Sequence, residues 1–221
     1  KVDYFGKNYV FLVKQNNFFK LKIKNKEYIL KKLNLESKIE FENLECAITC
    51  CLALNIKENK IINTLSLIKN PPGRLQTLNY IKKNSKIIID YAHTPEALKR
   101  TLISLNSNNS KPVLLFGCGG DRDKSKRKLM AIIANNFASK VYITDDNPRN
   151  ENPSSIRKAI IKYCPNSIEI ENRKKAIKRA IKDLNLNQTL LIAGKGHEKF
   201  QIIKNKKIKF DDLQIVKDLI K

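Results

Sequence analysis

Five short apolar runs, at residues 87–89, 113–116, 141–143, 168–170 and 190–193, constrain the fold of this chain more than any other feature. Most are uninterrupted rather than alternating, the pattern of strands covered on both faces. Segments of helical periodicity separate them. Thr94 is placed to cap the first, with Pro95 at the first helical position and Leu98, Leu102 and Leu105 as its stripe. Leu129, Ile133 and Phe137 stripe the next, and Ile156, Ile160 and Cys164 follow behind a Ser154 cap. Ala176, Ile177, Ala180, Ile181 and Leu184 complete the series. Strand and helix alternating at this spacing imply right-handed βαβ crossovers and an α/β fold, a doubly wound and mostly parallel sheet.

The two ends of the chain break this rhythm. Residues 200–203 and 207–210 flank a Lys204-Asn205-Lys206 turn and read as a hairpin, with a last helix from about Asp211. Residues 9–13, 18–23 and 27–30 read as an antiparallel meander, followed by helices over 43–54 and 59–68. Pro71-Pro72-Gly73 interrupts the chain after the second of these helices, so the expected domains are 1–72 and 73–221. The chain begins with Lys1 rather than Met, as expected of a piece of something longer.

Composition narrows the class. With 42% hydrophobic residues over 221 positions there is ample material for a core, and no apolar run approaches the roughly 18 residues of a membrane span. No signal peptide opens the chain. Five cysteines at positions 46, 50, 51, 118 and 164 form no C-x-x-C pair, which argues against zinc and a disulfide framework and for a reducing cytoplasm. Cys46, Cys50 and Cys51 fall in an apolar helical stretch and are expected in a core. The net charge of +23 raises nucleic acid or anionic lipid as partners. The lysines are dispersed among Ile and Asn, as AT-rich codons would leave them, and no nucleic-acid-binding motif is visible. An anionic small-molecule substrate would benefit from the same field.

The unusual residues fall where ligands bind in an open parallel sheet, beyond the carboxyl ends of the strands. The first strand runs into Asp90-Tyr91-Ala92-His93-Thr94-Pro95, and the second into Gly117-Cys118-Gly119-Gly120-Asp121-Arg122-Asp123-Lys124. The third runs into Asp145-Asp146-Asn147-Pro148-Arg149 and the fifth into Gly194-Lys195-Gly196-His197-Glu198. Each has a bland reading when taken alone. The second loop is neither a P-loop nor a G-x-G-x-x-G fingerprint, because Arg122 occupies the third glycine position, and its glycines suit an ordinary tight turn. His93 suits a helix start, Asp146-Asn147 an Asx turn, Arg149 and Glu151 a surface pair, and Lys195 a solvated loop. Four such loops on one edge argue for a site. Arg122 and Arg149 offer planar forks for carboxylates, while Glu198 and glycine-loop carbonyls accept from an ammonium. A ligand carrying both groups, next to a nucleotide, satisfies that set.

Five strings in order, P-G-R-L-Q (72–76), D-Y-A-H-T-P-x-A-L (90–98), F-G-C-G-G-D-R-D-K-x-K-R-x-L-M (116–130), T-D-D-N-P-R-x-E-x-P (144–153) and A-G-K-G-H-E-x-x-Q (193–201), resemble the Mur ligases. Within that family they resemble the branch that adds the third residue of the peptidoglycan peptide. The resemblance implies a Rossmann-like amino-acid-binding domain over 73–221, preceded by the end of a truncated central ATPase domain over 1–72. It implies ATP-dependent amide synthesis in the cytoplasm by a monomer. ATP and Mg2+ would activate the D-glutamyl carboxylate of UDP-MurNAc-L-Ala-D-Glu as an acyl phosphate, and the amine of meso-diaminopimelate would attack it. By motif, Asn43, Arg74, Asp90, Tyr91 and His93 would serve ATP. Arg122, Asn147, Pro148, Arg149, Gly194 and Glu198 would hold meso-diaminopimelate. The arginine fork rewards the second carboxylate that lysine lacks, and a buried unpaired Arg would penalise lysine.

Departures from the family pattern accompany these matches. No P-loop, UDP-sugar domain or upstream lysine of the kind carbamylated in the family is present, so the metal is assigned no residue here and the fragment alone is not expected to turn over. Ser125 and Lys128 replace a family Gly and Pro, and Glu40 stands where an Asn is expected. The alternatives are a lysine-adding or folylpolyglutamate relative, both disfavoured by Arg149, and a non-catalytic binding remnant. A nucleic-acid protein is disfavoured by the dispersed charge.

Overall fold

A computed structural model describes residues 9–16, 18–31, 33, 35, 37–106 and 110–221. It divides into two compact units, Lys1–Asn70 and Pro71–Lys221.

In the first unit, β1 (Val10–Gln15), β2 (Phe18–Ile23) and β3 (Lys26–Leu30) form an antiparallel meander. The alternation of β2 turns Phe19, Leu21 and Ile23 inward, where they meet Leu44 and Ile48 of α1 (Lys38–Ala53) and Ile61 and Leu65 of α2 (Glu58–Leu65). Helix α1 starts five residues before the expected position. Ser37 and Glu40 form a reciprocal capping box that fixes the start, so Glu40 is a cap. The cysteines do not form the core: Cys46 and Cys50 are exposed and Cys51 is partly buried. The inward face is set by Leu44, Ile48 and Thr49, and 3.6-residue periodicity turns positions 46 and 50 away from it.

The second unit is built on a six-stranded sheet in the order β4-β5-β9-β6-β7-β8. The strands β5 (Ser85–Asp90), β9 (Thr189–Ala193), β6 (Val113–Phe116), β7 (Lys140–Ile143) and β8 (Ile168–Glu169) run parallel. All five expected runs are strands. An additional edge strand, β4 (Gln76–Tyr80), pairs antiparallel with β5; its sequence Gln-Thr-Leu-Asn-Tyr has too few apolar residues to stand out. The chain runs from β5 to β6, outward to β7 and β8, and then returns to insert β9 between β5 and β6. That insertion brings the loops after β5, β6 and β9 to one stretch of the sheet's carboxyl edge.

Both faces of the sheet are covered, which explains the uninterrupted apolar runs. Ile87, Ile89, Val113, Leu115, Tyr142, Leu190 and Ile192 pack with α6 (Arg173–Asp183) and α7 (Asp212–Ile220). The helices α3 (Pro95–Ser104), α4 (Ser125–Phe137) and α5 (Pro153–Ile161) pack in sequence against one another, and Ile88, Leu114, Phe116, Val141, Ile143 and Leu191 are buried. Thr94 caps α3 through the Ala97 N–H as expected. Two helix details differ. The buried side of α4 is Arg127, Met130, Ala131 and Ala134, whereas Leu129 is half-exposed. The two alanines present small side chains to the interior, and Arg127 is turned in by its ion pair with Glu151. The cap of α5 is Asn152, not Ser154, because Pro153 occupies the first helical position and leaves the preceding side chain to bind the free N–H groups of Ser154 and Ser155.

The hairpin of β10 (Phe200–Ile203) and β11 (Lys206–Lys209) turns on Lys204-Asn205. Among the described residues no helix is long and apolar enough to cross a membrane.

Candidate functional site

Four loops of the second unit meet at the carboxyl edge of the sheet. The Gly194 N–H donates to Asp90 O at 3.1 Å, tying the end of β9 to the end of β5, and the Gly120 N–H donates to Asn147 O at 2.9 Å. Glycines allow the backbones to approach. A Cβ on Gly120 would lie 2.0 Å from Pro148 O, and one on Gly73 would lie 2.1 Å from the His197 nitrogen. The glycines of the 117–120 loop therefore serve close approach between loops rather than a bare turn.

The acids that open the 144–153 segment are structural. Asp145 forms an ion pair with Arg157, which also reaches Glu169 at 2.6 Å. Asp146 is buried and its Oδ1 accepts the Asn147 N–H at 2.6 Å. This is not an Asx turn, because two residues on stands Pro148, which has no N–H to donate. Glu151 does not pair with Arg149. It accepts from Arg127 Nη2 at 2.9 Å and from the Asp121 N–H at 2.7 Å, which fastens the loop after β6 to that after β7. The Arg127 hydrogen bond holds the Glu151 carboxyl below its ordinary value.

Asn147, Lys195 and Glu198 form a closed network. Lys195 is fully buried, contrary to a solvated loop lysine, and its Nζ donates to Asn147 Oδ1 at 2.9 Å and Glu198 Oε2 at 3.0 Å. The Asn147 amide Nδ2 donates to the same Glu198 Oε2 at 2.9 Å, and its Oδ1 also accepts the Ile202 N–H at 2.9 Å. Burial pushes the Glu198 carboxyl up, but hydrogen bonds from Asn147 and Lys195 with the nearby Arg149 charge hold it below its ordinary value. A fully buried pair, Arg173 with Asp212 at 2.7 Å, lies behind the end of β9, and Arg173 Nη2 also donates to Ala193 O.

Arg149 borders this network. Its φ of 51° is unusual for a side-chain-bearing residue. Backbone bonds to Ile202 O and from the Lys204 N–H strap it to the β10 hairpin. Its Nη1 donates to Gly120 O at 2.9 Å and to Asn147 O at 3.4 Å, and among the described residues no hydrogen bond engages its Nε–Nη2 edge, which suits a planar acceptor. Arg122 is exposed and donates to its neighbour's carbonyl, Asp121 O. A Cβ on Gly119 would lie 2.9 Å from Arg149 Nη1 and 3.9 Å from Arg122 Cγ, so the two arginines flank that glycine.

A second cluster is exposed and aromatic. The Tyr91 ring lies 4.6 Å from His93 and 5.3 Å from His197, with the Arg74 guanidinium 4.5 Å over its face. Asp90 supports it from below: Oδ2 accepts the Leu75 N–H and Oδ1 the Ala92 N–H, each at 2.9 Å. Neither His197 nor Lys195 stood out in the sequence as a site residue. Their signal was present in G-K-G-H-E, where both belong to the loop that already supplied Gly194 and Glu198. Asn43 is exposed on α1 and belongs to the first unit. Burial pushes the Cys118 thiol up to about 12, so this cysteine is no nucleophile. Among the described residues no cluster of three His, Cys, Asp or Glu side chains suits a metal ion.

On one edge of its sheet this doubly wound domain gathers a buried amide–ammonium–carboxylate network and a cluster of rings, groups of the kind that charged small ligands pair with. The family model described as "Mur ligase, glutamate ligase domain" matches residues 73–196. The chain belongs to the Mur ligase family. It is 48% identical over 162 residues to the UDP-N-acetylmuramoyl-L-alanyl-D-glutamate–2,6-diaminopimelate ligase of Rickettsia bellii, covering 71% of this chain and 33% of that protein. It is 44% identical over 178 residues to the ligase of the same name from Anaplasma marginale, covering 79% and 36%. A solved structure of a ligase of that name aligns with a TM-score of 0.65 at 31% identity, over 96% of this chain and 45% of that one. The chain thus spans about a third of the length of the curated relatives it matches.

Proposed function

We propose that this chain is the amino-acid-receiving part of an ATP-dependent ligase that joins meso-diaminopimelate to UDP-MurNAc-L-Ala-D-Glu in peptidoglycan synthesis. The relatives that carry this name support the reading. One observation carries it: Arg149 and Glu198 stand beside one network, offering a guanidinium edge for a carboxylate and an ionised carboxylate for an ammonium. Diaminopimelate has both groups at its far end, and lysine has only the ammonium.

In this reading Arg149 takes the distal carboxylate, with Arg122 at the rim and Glu198 on an ammonium. Gly194 and Pro148 keep the loops close enough to shape the pocket. Arg74, Tyr91, His93 and His197 offer ring faces and positive charge to the nucleotide, while Asp90 holds that loop and faces the ribose. Asn43 is assigned to ATP on the strength of its motif. ATP supplies the phosphoryl group that makes the acyl phosphate; the amine then forms the amide as phosphate leaves. Magnesium is assigned to no residue of this chain, and the residues here orient the nucleophile and exclude water from its binding end. The whole ligase is taken to act in the cytoplasm as a monomer.

The test is amino-acid-dependent phosphate release by the complete ligase, comparing diaminopimelate with lysine in the parent and in Arg149→Ala. The parent should prefer diaminopimelate. Arg149→Ala should raise the KM for diaminopimelate by roughly 100-fold, as expected for removal of a charged partner, and leave the UDP-substrate KM nearly unchanged. Equal loss for both substrates would sink the pocket assignment.

A further inference from the structure

We infer that Lys195 is the positioning residue of the amino-acid pocket, fixing the direction of the Asn147 amide and presenting Glu198 to a substrate ammonium. This inference rests on the pocket reading above.

A buried ammonium is tolerated when it is hydrogen-bonded, and two of the three Lys195 N–H groups go to Asn147 Oδ1 and Glu198 Oε2. Neither Lys195 Nζ nor the Ile202 N–H can accept a hydrogen bond, and both point at Asn147 Oδ1. Flipping the amide would set its NH2 group against two donors. The orientation is thereby forced, and Nδ2 must face Glu198 Oε2. That oxygen receives both donors, and among the described residues none reaches Oε1, which is left for a ligand. Lys195 touches the two residues that would meet the amino acid and acts through them.

The charges facing Glu198 come from three elements. Lys195 shares its loop, Arg149 lies on the loop after β7, and Arg173, which also senses Asp146, stands at the start of α6. With Lys195 neutralised, burial regains weight and the Glu198 carboxyl rises. The ionised form exists above that pKa, so the acid limb of ammonium binding must move to higher pH.

The experiment is calorimetric titration of the chain with meso-diaminopimelate and with L-lysine across about pH 4 to 8, for the parent, Lys195→Met and Lys195→Arg. Lys195→Met should weaken diaminopimelate roughly 10- to 100-fold, the span of one charged hydrogen bond, and shift the acid limb upward. Lys195→Arg should restore the limb. Carboxyl carbon-13 resonances give a reading on the parent alone, independent of whether a variant folds: the Glu198 midpoint should lie below that of an ordinary glutamate. A midpoint at or above the ordinary value overturns the inference, as does a Lys195→Met protein with an unmoved limb and unchanged selectivity. A parent chain that binds neither amino acid overturns the pocket reading and the role of Lys195 with it. A parent that prefers diaminopimelate beside a harmless Lys195→Met overturns the role of Lys195 alone.

Discussion

Lys195 and His197 stand two residues apart in one loop, yet the first is fully buried and doubly hydrogen-bonded, whereas the second is exposed and in ring contact with Tyr91. The loop therefore serves two neighbourhoods of different physics. Around Lys195, buried charges fix orientation, because an unpaired polar group there is costly. Around His197, rings and the Arg74 guanidinium form a face that water also reaches, where each contact contributes little. Only the buried side can discriminate sharply between ligands. A buried network rejects a ligand that leaves a group unpaired, while a stacked face accepts many ligands of similar shape.

The largest effect that could break this contrast lies behind the buried side. Asp212→Ala leaves Arg173 uncompensated at the end of β9 and should cost about 3–5 kcal/mol in stability by denaturant unfolding. A loss below about 1 kcal/mol would mean that the framework of the buried side does not depend on paired charge. Next is Gly120→Ala, whose Cβ would meet Pro148 O. Parting the loops after β6 and β7 should cost about 1–3 kcal/mol and weaken diaminopimelate more than nucleotide, measured by titrating each. Equal weakening of both would merge the two neighbourhoods. The smallest effect belongs to the exposed face: Tyr91→Leu should lower nucleotide affinity roughly two- to tenfold and leave amino-acid affinity unchanged. A larger loss, or one shared with the amino acid, would show that the rings act as more than a surface.

The parallel sheet was legible because a strand buried on both faces must be apolar at nearly every position, and five such runs were visible. β4 was not, since an edge strand covered on one side needs little apolar content, and Gln-Thr-Leu-Asn-Tyr carries little. The Ser37–Glu40 capping box is present in the sequence, but its two residues are a weaker signal than the apolar run that begins later. The site loops were legible as a set, by their place after the strands. Their internal partners were not. Glu151 bonds Arg127 rather than Arg149 across 24 positions of chain, and Lys195 reaches Asn147 across 48.

The alternation of strand and helix, the edge on which the polar residues gather and the kinship carried by five strings of residues can all be read along the chain. These are local properties: periodicity, turn chemistry and motif spacing act within a few residues of chain. Folding in three dimensions is what buries the lysine of G-K-G-H-E, gives an asparagine amide one permitted direction and collects the rings around Tyr91. Burial and hydrogen-bond partnership depend on which distant loops meet, and the insertion of β9 between β5 and β6 makes them meet.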